Sequence, residues 1–110
     1  YQGAIDDYNE AIEHNPYIAE YYYNRANARH SLKNYQGAID DYSKVLEIEP
    51  SNVDAYILCG EVKHDSEDLK GAMKDWSKAA ELGNKEAKTL IEKYCTSIRA
   101  NDITTKGSTK

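Results

Sequence analysis

The sequence predicts an all-α solenoid of antiparallel helix pairs, about six helices long, and three observations predict it. The octapeptide YQGAIDDY stands at Tyr1–Tyr8 and again at Tyr35–Tyr42. A looser copy, LKGAMKDW, follows at Leu69–Trp76 after the same step. Around these copies, apolar residues recur at the three/four spacing of helical stripes. A fixed period of this size marks an array of small units, each burying its apolar face on its neighbours.

Each helix has local reasons to start and stop. Residues 2–14 carry Ala4, Ile5, Tyr8, Ala11 and Ile12 on one stripe, and Asn15-Pro16 ends it, because proline disfavours helix in the residue before it. A second helix over 19–31 starts after Pro16 with acidic Glu20 in its first turn and ends in the polar Ser31–Asn34. Asn34 is the residue expected to adopt the left-handed conformation of that turn. The third, 36–48, repeats the first through Ala38, Ile39, Tyr42, Val45 and Leu46, and Glu49-Pro50 closes it. Ser51 or Asn52 can cap a fourth helix over 53–66. The fifth, 69–82, carries Ala72, Met73, Trp76, Ala79 and Ala80, and Gly83-Asn84 ends it by a glycine cap. A sixth begins at Lys85 and runs to about Ile98, with Leu90, Ile91, Tyr94 and Ile98 on one side. The Thr/Ser/Lys/Gly-rich stretch 101–110 is expected to be a disordered tail.

Composition narrows the function. The formal charge of −5 argues against a phosphate-backbone partner, which wants a basic face. Two cysteines, Cys59 and Cys95, are too few and too unpatterned for a disulfide framework or zinc site, and read as small buried apolar residues. No apolar run approaches a membrane span, so a soluble protein is expected, with the cytoplasm weakly favoured. The chain starts within a repeat and without Met, as a piece of a longer protein would. No serine sits in a nucleophile elbow, and GxGxxG and P-loop patterns are missing, so no enzyme is expected and no cofactor is implied.

Small and aromatic residues keep the same step. The middle unit has Tyr22, Arg25, Ala26 and Arg29, then Ala38, Tyr42 and Pro50; the next has Tyr56, Cys59, Gly60 and Lys63, then Ala72 and Trp76, with Asn84 in place of proline. This pattern resembles the tetratricopeptide-repeat (TPR) family, W-x2-L-G-x2-Y followed by A-x3-F and P. The resemblance implies right-handed stacking of helix pairs. Residues 1–16 are then the second helix of an incomplete repeat, 17–50 and 51–84 are full repeats, and 85–100 is a capping helix. The stretch Lys78–Lys93, with its AAELGN run, resembles the Sel1-like branch, which would change unit length locally. Arg25 and Arg29 replace the usual Leu and Tyr; they are expected to pair with the acids Asp6-Asp7 and Asp40-Asp41. The first helix, 2–14, should leave Ile5 and Ile12 uncovered and open to self-association.

In the family, the first helix of each pair lines a concave groove, which implies a protein-interaction scaffold gripping a peptide or protein segment. Stepping by one repeat gives the columns Tyr23–Ile57–Ile91, Asn24–Leu58–Glu92, Asn27–Glu61–Cys95 and His30–His64–Ile98. The candidate groove is therefore Tyr23, Asn24, Asn27, His30, Ile57, Leu58, Glu61, His64 and Ile91. Its apolar column is an anchor for a partner side chain. Glu20, Asp54, Glu61, Asp65 and Glu92 favour neutral or basic protein partners, not nucleic acid or membrane. Some family members hold the C-terminal carboxylate of heat-shock chaperones with Lys, Arg and Asn. Asn24 and Asn27 match that set, but Asp54, Leu58 and Glu61 stand where cations are needed, so an acidic tail would be repelled. His30, His64 and Asp65 could hold a metal, though a solvated pair of histidines is the plainer reading. The alternative function is purely structural: interior repeats of a larger protein with no ligand of their own.

Overall fold

The computed structural model describes residues 2–94. Five helices are bounded within it: α1 (Gln2–His14), α2 (Ala19–Ser31), α3 (Tyr35–Ile48), α4 (Val53–Asp65) and α5 (Leu69–Glu81). Residues 85–94 form a sixth, α6. The expected continuation of that helix and the expected tail 101–110 lie outside the described residues. No strand occurs among the described residues. Consecutive helices pack in order, α1 on α2, α2 on α3, α3 on α4 and α4 on α5, as a helical-repeat solenoid requires.

The period works through size complementarity. Ala26, Ala38 and Ala72 are fully buried and Gly60 is buried, so the paired helices approach closely. Tyr42 and Trp76 fill the space beside them, both essentially without exposure. The Tyr42 hydroxyl donates to Asn27 Oδ1, and the Trp76 indole N–H donates to the Ile57 carbonyl at 3.1 Å, so each ring buries its polar atom with a partner.

Three turns share one construction: residues 32–34, 66–68 and 82–84 each join two helices. The middle residue is left-handed, Lys33 (φ 63°), Glu67 (φ 69°) and Gly83 (φ 98°). The third is an N-cap whose side-chain oxygen accepts a backbone N–H three residues on: Asn34 from Gly37, Asp68 from Gly71, Asn84 from Ala87. The left-handed residue is thus Lys33, and the expected Asn34 does the capping instead. Of the two candidates at the start of α4, Asn52 is the cap, accepting from Ala55 N at 3.0 Å.

The open flank of α1 is not the expected one. Ile5 is buried, and Ile12 packs against the cluster of Ala19, Tyr22, Val45 and Ala55. The residues left exposed or half-buried are Ala4, Tyr8 and Ala11, whose counterparts Ala38, Tyr42 and Val45 are fully buried. Ile5 and Ile12 lie toward the helix that follows, which is present. Ile5 is thus covered and Ile12 is half-covered.

Candidate functional site

The first helices α2, α4 and α6 carry the candidate groove, but α6 enters in a different phase. Asn52 caps α4 through Ala55, and Asn84 caps α6 through Ala87. From cap to cap the step is two positions shorter than the step from Ala19 to Val53, at the starts of α2 and α4. Packing follows the caps: Ala55 is buried beside Val45, and Ala87 beside Ala79. One position is lost in the connector, 49–52 before α4 but 82–84 before α6, and one in α5, which is a residue shorter than α3. The columns that ended in Ile91 and Glu92 are therefore replaced by Tyr23–Ile57–Thr89, Asn24–Leu58–Leu90 and Asn27–Glu61–Lys93. Cys95 and Ile98 lie outside the described residues.

Several candidates are engaged inward. Ile57, expected as an exposed anchor, is only 6% exposed and packs with Ala79 and Ala87 in the core. Asn27 is half-buried and accepts from Tyr42. Tyr23 is half-buried and meets Tyr42 edge-on, with ring centroids 5.9 Å apart. Asn24, Leu58 and Ile91 are half-buried, and Leu58 leans on the cluster of Tyr42, Cys59 and Val62. What remains accessible is a mixed surface, with the edges of Tyr23 and Leu58 between polar side chains.

The electrostatics of that surface are negative. Burial, then Asp54 and Glu61, raise the Tyr23 phenol above its ordinary range. Glu61 is also raised, by burial first and by Glu86 second, while His30 opposes the shift. A cleft of about 310 Å³ beside Tyr23 is walled by Glu20, Glu49 and Asp54.

The histidines are not a solvated pair. His30 Nε2 lies 2.7 Å from Asp65 Oδ2, tying α2 to α4, and His64 Nδ1 lies 3.6 Å from Asp65 Oδ1. The His64 ring sits 4.7 Å from Tyr94, which itself stacks on Trp76 at 5.3 Å. Glu61, His64, Asp65, Trp76, Leu90 and Tyr94 enclose about 170 Å³. Leu90 and Tyr94 thus line this pocket, although a uniform step from repeat to repeat does not place them there. Among the described residues no group of three or more His, Cys, Asp or Glu could hold a metal ion.

The arginines resolve onto one acid. Arg25 grips Asp41 through Nε at 3.0 Å and Nη2 at 2.7 Å, and Arg29 Nη1 adds a third bond at 3.0 Å. The expected pairing with Asp6, Asp7 and Asp40 does not form. Asp6 and Asp40 instead accept from Gln2 and Gln36 within their own helices, and Asp7 stays exposed. Asp41 faces the neighbouring helix, and only that position of each acidic pair can be shared between helices.

The tetratricopeptide-repeat profile matches residues 19–52, the α2–α3 unit and its connector. The TPR domain of Arabidopsis OM64 is 35% identical, with a TM-score of 0.73, covering 81% of this chain and 75% of that one. The chain belongs to the tetratricopeptide-repeat family. The first TPR of Spaghetti (RPAP3), solved bound to the HSP90 peptide SRMEEVD, is similar at 28% identity and TM-score 0.78, covering 86% and 77%. MamA is similar at 32% identity and TM-score 0.73, covering 79% of this chain; the chain spans about half the length of MamA. No curated protein sequence matches. The match is to tetratricopeptide repeats, and nothing in it singles out the Sel1-like branch suggested by Lys78–Lys93. TPR domains are protein-interaction modules, and none of the helices described in this TPR chain is long and apolar enough to cross a membrane.

Proposed function

We propose that this TPR unit binds an extended, neutral-to-basic segment of another protein along the face shared by α2, α4 and α6. The observation that carries this reading is the set of carboxylates beside the half-buried Tyr23, with Glu20, Glu49 and Asp54 lining the cleft next to it and Glu61 within electrostatic reach. Asp54 and Glu61 are close enough to Tyr23 to disfavour its ionisation, and Glu61 is itself disfavoured as an anion by burial and Glu86. A surface that resists further negative charge attracts cationic side chains and repels acidic ones. Tyr23, Asn24, Leu58 and Glu61 are the contact residues; Asn27, His30 and His64 support them, and Ile91 lies at the edge. The apolar anchor falls on Leu58 and Leu90, since Ile57 is packed.

RPAP3 is the informative contrast, because the peptide in that complex, SRMEEVD, is acidic. The test is fluorescence anisotropy with the whole chain and labelled peptides selected from a display library, with SRMEEVD as comparator. The expected result is enrichment of peptides carrying Lys or Arg beside an aliphatic residue, with binding weakened by salt. Glu61→Lys and Leu58→Ser should lose binding while circular dichroism stays helical. Tight binding of SRMEEVD would overturn the charge preference. Failure of every peptide class would favour the alternative, in which these repeats are structural spacers in a larger protein.

A further inference from the structure

The two complete repeats surround equivalent acids differently. Asp41 and Asp75 stand one full repeat apart, as do Tyr22 and Tyr56, and Arg29 and Lys63. Around Asp41, Arg25 supplies a two-bond fork, its guanidinium carbon lies 5.6 Å over the Tyr22 ring, and its Nη1 donates to Asn9 at 2.7 Å. Cys59 stands where the next repeat would place that arginine. Between the counterparts of Tyr22 and Asp41 lies a cleft of about 470 Å³ lined by Tyr56, Lys74, Asp75, Ser77, Lys78 and Glu81. Lys63 Nζ lies 2.8 Å from Asp75 Oδ2, and Lys63 and the Cys59 thiol are the neighbours of this carboxylate, with no guanidinium fork on it. Asp41 shows that the same carboxylate position accommodates two cations at once.

We propose that the cleft between Tyr56 and Asp75 receives an arginine side chain from a partner protein, which reproduces in trans what Arg25 does within the chain. The Tyr56 ring supplies a face for the guanidinium plane, and the Asp75 carboxylate supplies the acceptor for its fork. A lysine offers neither a plane nor a fork, so the site discriminates between the two cations. Burial, and then the Asp75 carboxylate, push the Cys59 thiol up to about 12, so it is a neutral neighbour at physiological pH. The rim is mixed: Lys78 sits 3.6 Å from Glu81, whereas Lys74 replaces the acid found at Asp40. Lys74 therefore weakens the site and makes it adjustable. Tyr56 lies on the side of α4 away from Leu58, so the inference stands or falls independently of the groove.

The experiment is a titration of the whole 15N-labelled chain with N-acetyl-arginine amide, N-acetyl-lysine amide and N-acetyl-citrulline amide, followed by heteronuclear NMR. The expected result is shifts centred on Tyr56 and Asp75 that half-saturate with arginine at a roughly three- to tenfold lower concentration than with lysine, and no shifts with uncharged citrulline. Lys74→Asp should strengthen arginine binding. Asp75→Asn should abolish the shifts while circular dichroism stays helical. Equal response to arginine and lysine, a citrulline response matching arginine, or shifts elsewhere on the chain would each overturn the proposal. So would an Asp75→Asn protein that folds and still responds.

Discussion

Gly60→Ala isolates the size complementarity that builds the repeat. Alanine favours helix over glycine by about 0.8–1 kcal/mol, so at an open site the change would stabilise α4. At Gly60 the new methyl would lie 2.4 Å from Trp76 Nε1 and 2.7 Å from Cδ1, closer than side chains tolerate. The indole cannot simply retreat, because it is fully enclosed and its N–H is bonded to the Ile57 carbonyl at 3.1 Å. Overpacking costs about 1–3 kcal/mol and loss of that bond about 1 kcal/mol more. After the helical gain is subtracted, the net loss is about 1–3 kcal/mol, or roughly 5–20 °C in Tm for a domain of this size. Circular-dichroism melts and urea titrations of the single and double variants measure it. Adding Trp76→Tyr recreates the Ala26–Tyr42 pair of the preceding repeat, so the double variant should be less impaired than the sum of its parts. A Gly60→Ala protein as stable as wild type, or strict additivity with Trp76→Tyr, would refute the packing argument.

Two further outcomes follow from the charges. Asp41→Asn leaves two largely buried guanidinium groups without a counter-charge and should cost about 3–5 kcal/mol in urea denaturation. Asp75→Asn removes one ammonium's counter-charge, that of Lys63, and should cost about 1–3 kcal/mol; the reverse order would contradict the account of the two acids. Glu61 has its native carboxyl raised above the ordinary 4.5, so the folded state holds its proton more tightly than the unfolded chain. Its contribution to stability is thus best at low pH and declines as pH rises from 4.5 through the raised native value. Glu61→Gln should accordingly raise Tm at pH 7, with the gain shrinking below pH 4.5. A gain independent of pH would count against the burial of that carboxylate.

Most of the fold is legible because the octapeptide echo fixes both the helices and their partners. The burial of Tyr42 and Trp76 beside Ala26 and Gly60 follows from small and large residues recurring in step. The groove is less legible, for reasons seen at particular residues. Periodicity places Ile57 in the same column as Tyr23, but burial depends on what lies opposite, and Ala79 and Ala87 close over Ile57. The change of phase at α6 is visible in principle, since the capping asparagines Asn52 and Asn84 stand two places closer together than one full repeat. The octapeptide echo draws attention to the wrong landmark. Asp6-Asp7 and Asp40-Asp41 look interchangeable as pairs; a helix turns about 100° per residue, so only one acid of each pair can reach a neighbouring helix.

The shared carboxylate of Asp41 has a mechanical consequence. Three directional bonds from two guanidinium groups pin α2 against α3, and sliding one helix past the other must break them together. The α4–α5 pair is held at the matching point by one ammonium on a flexible stem, which can follow the acid as it moves. The polar tie between α4 and α5 is therefore less directional than the one between α2 and α3.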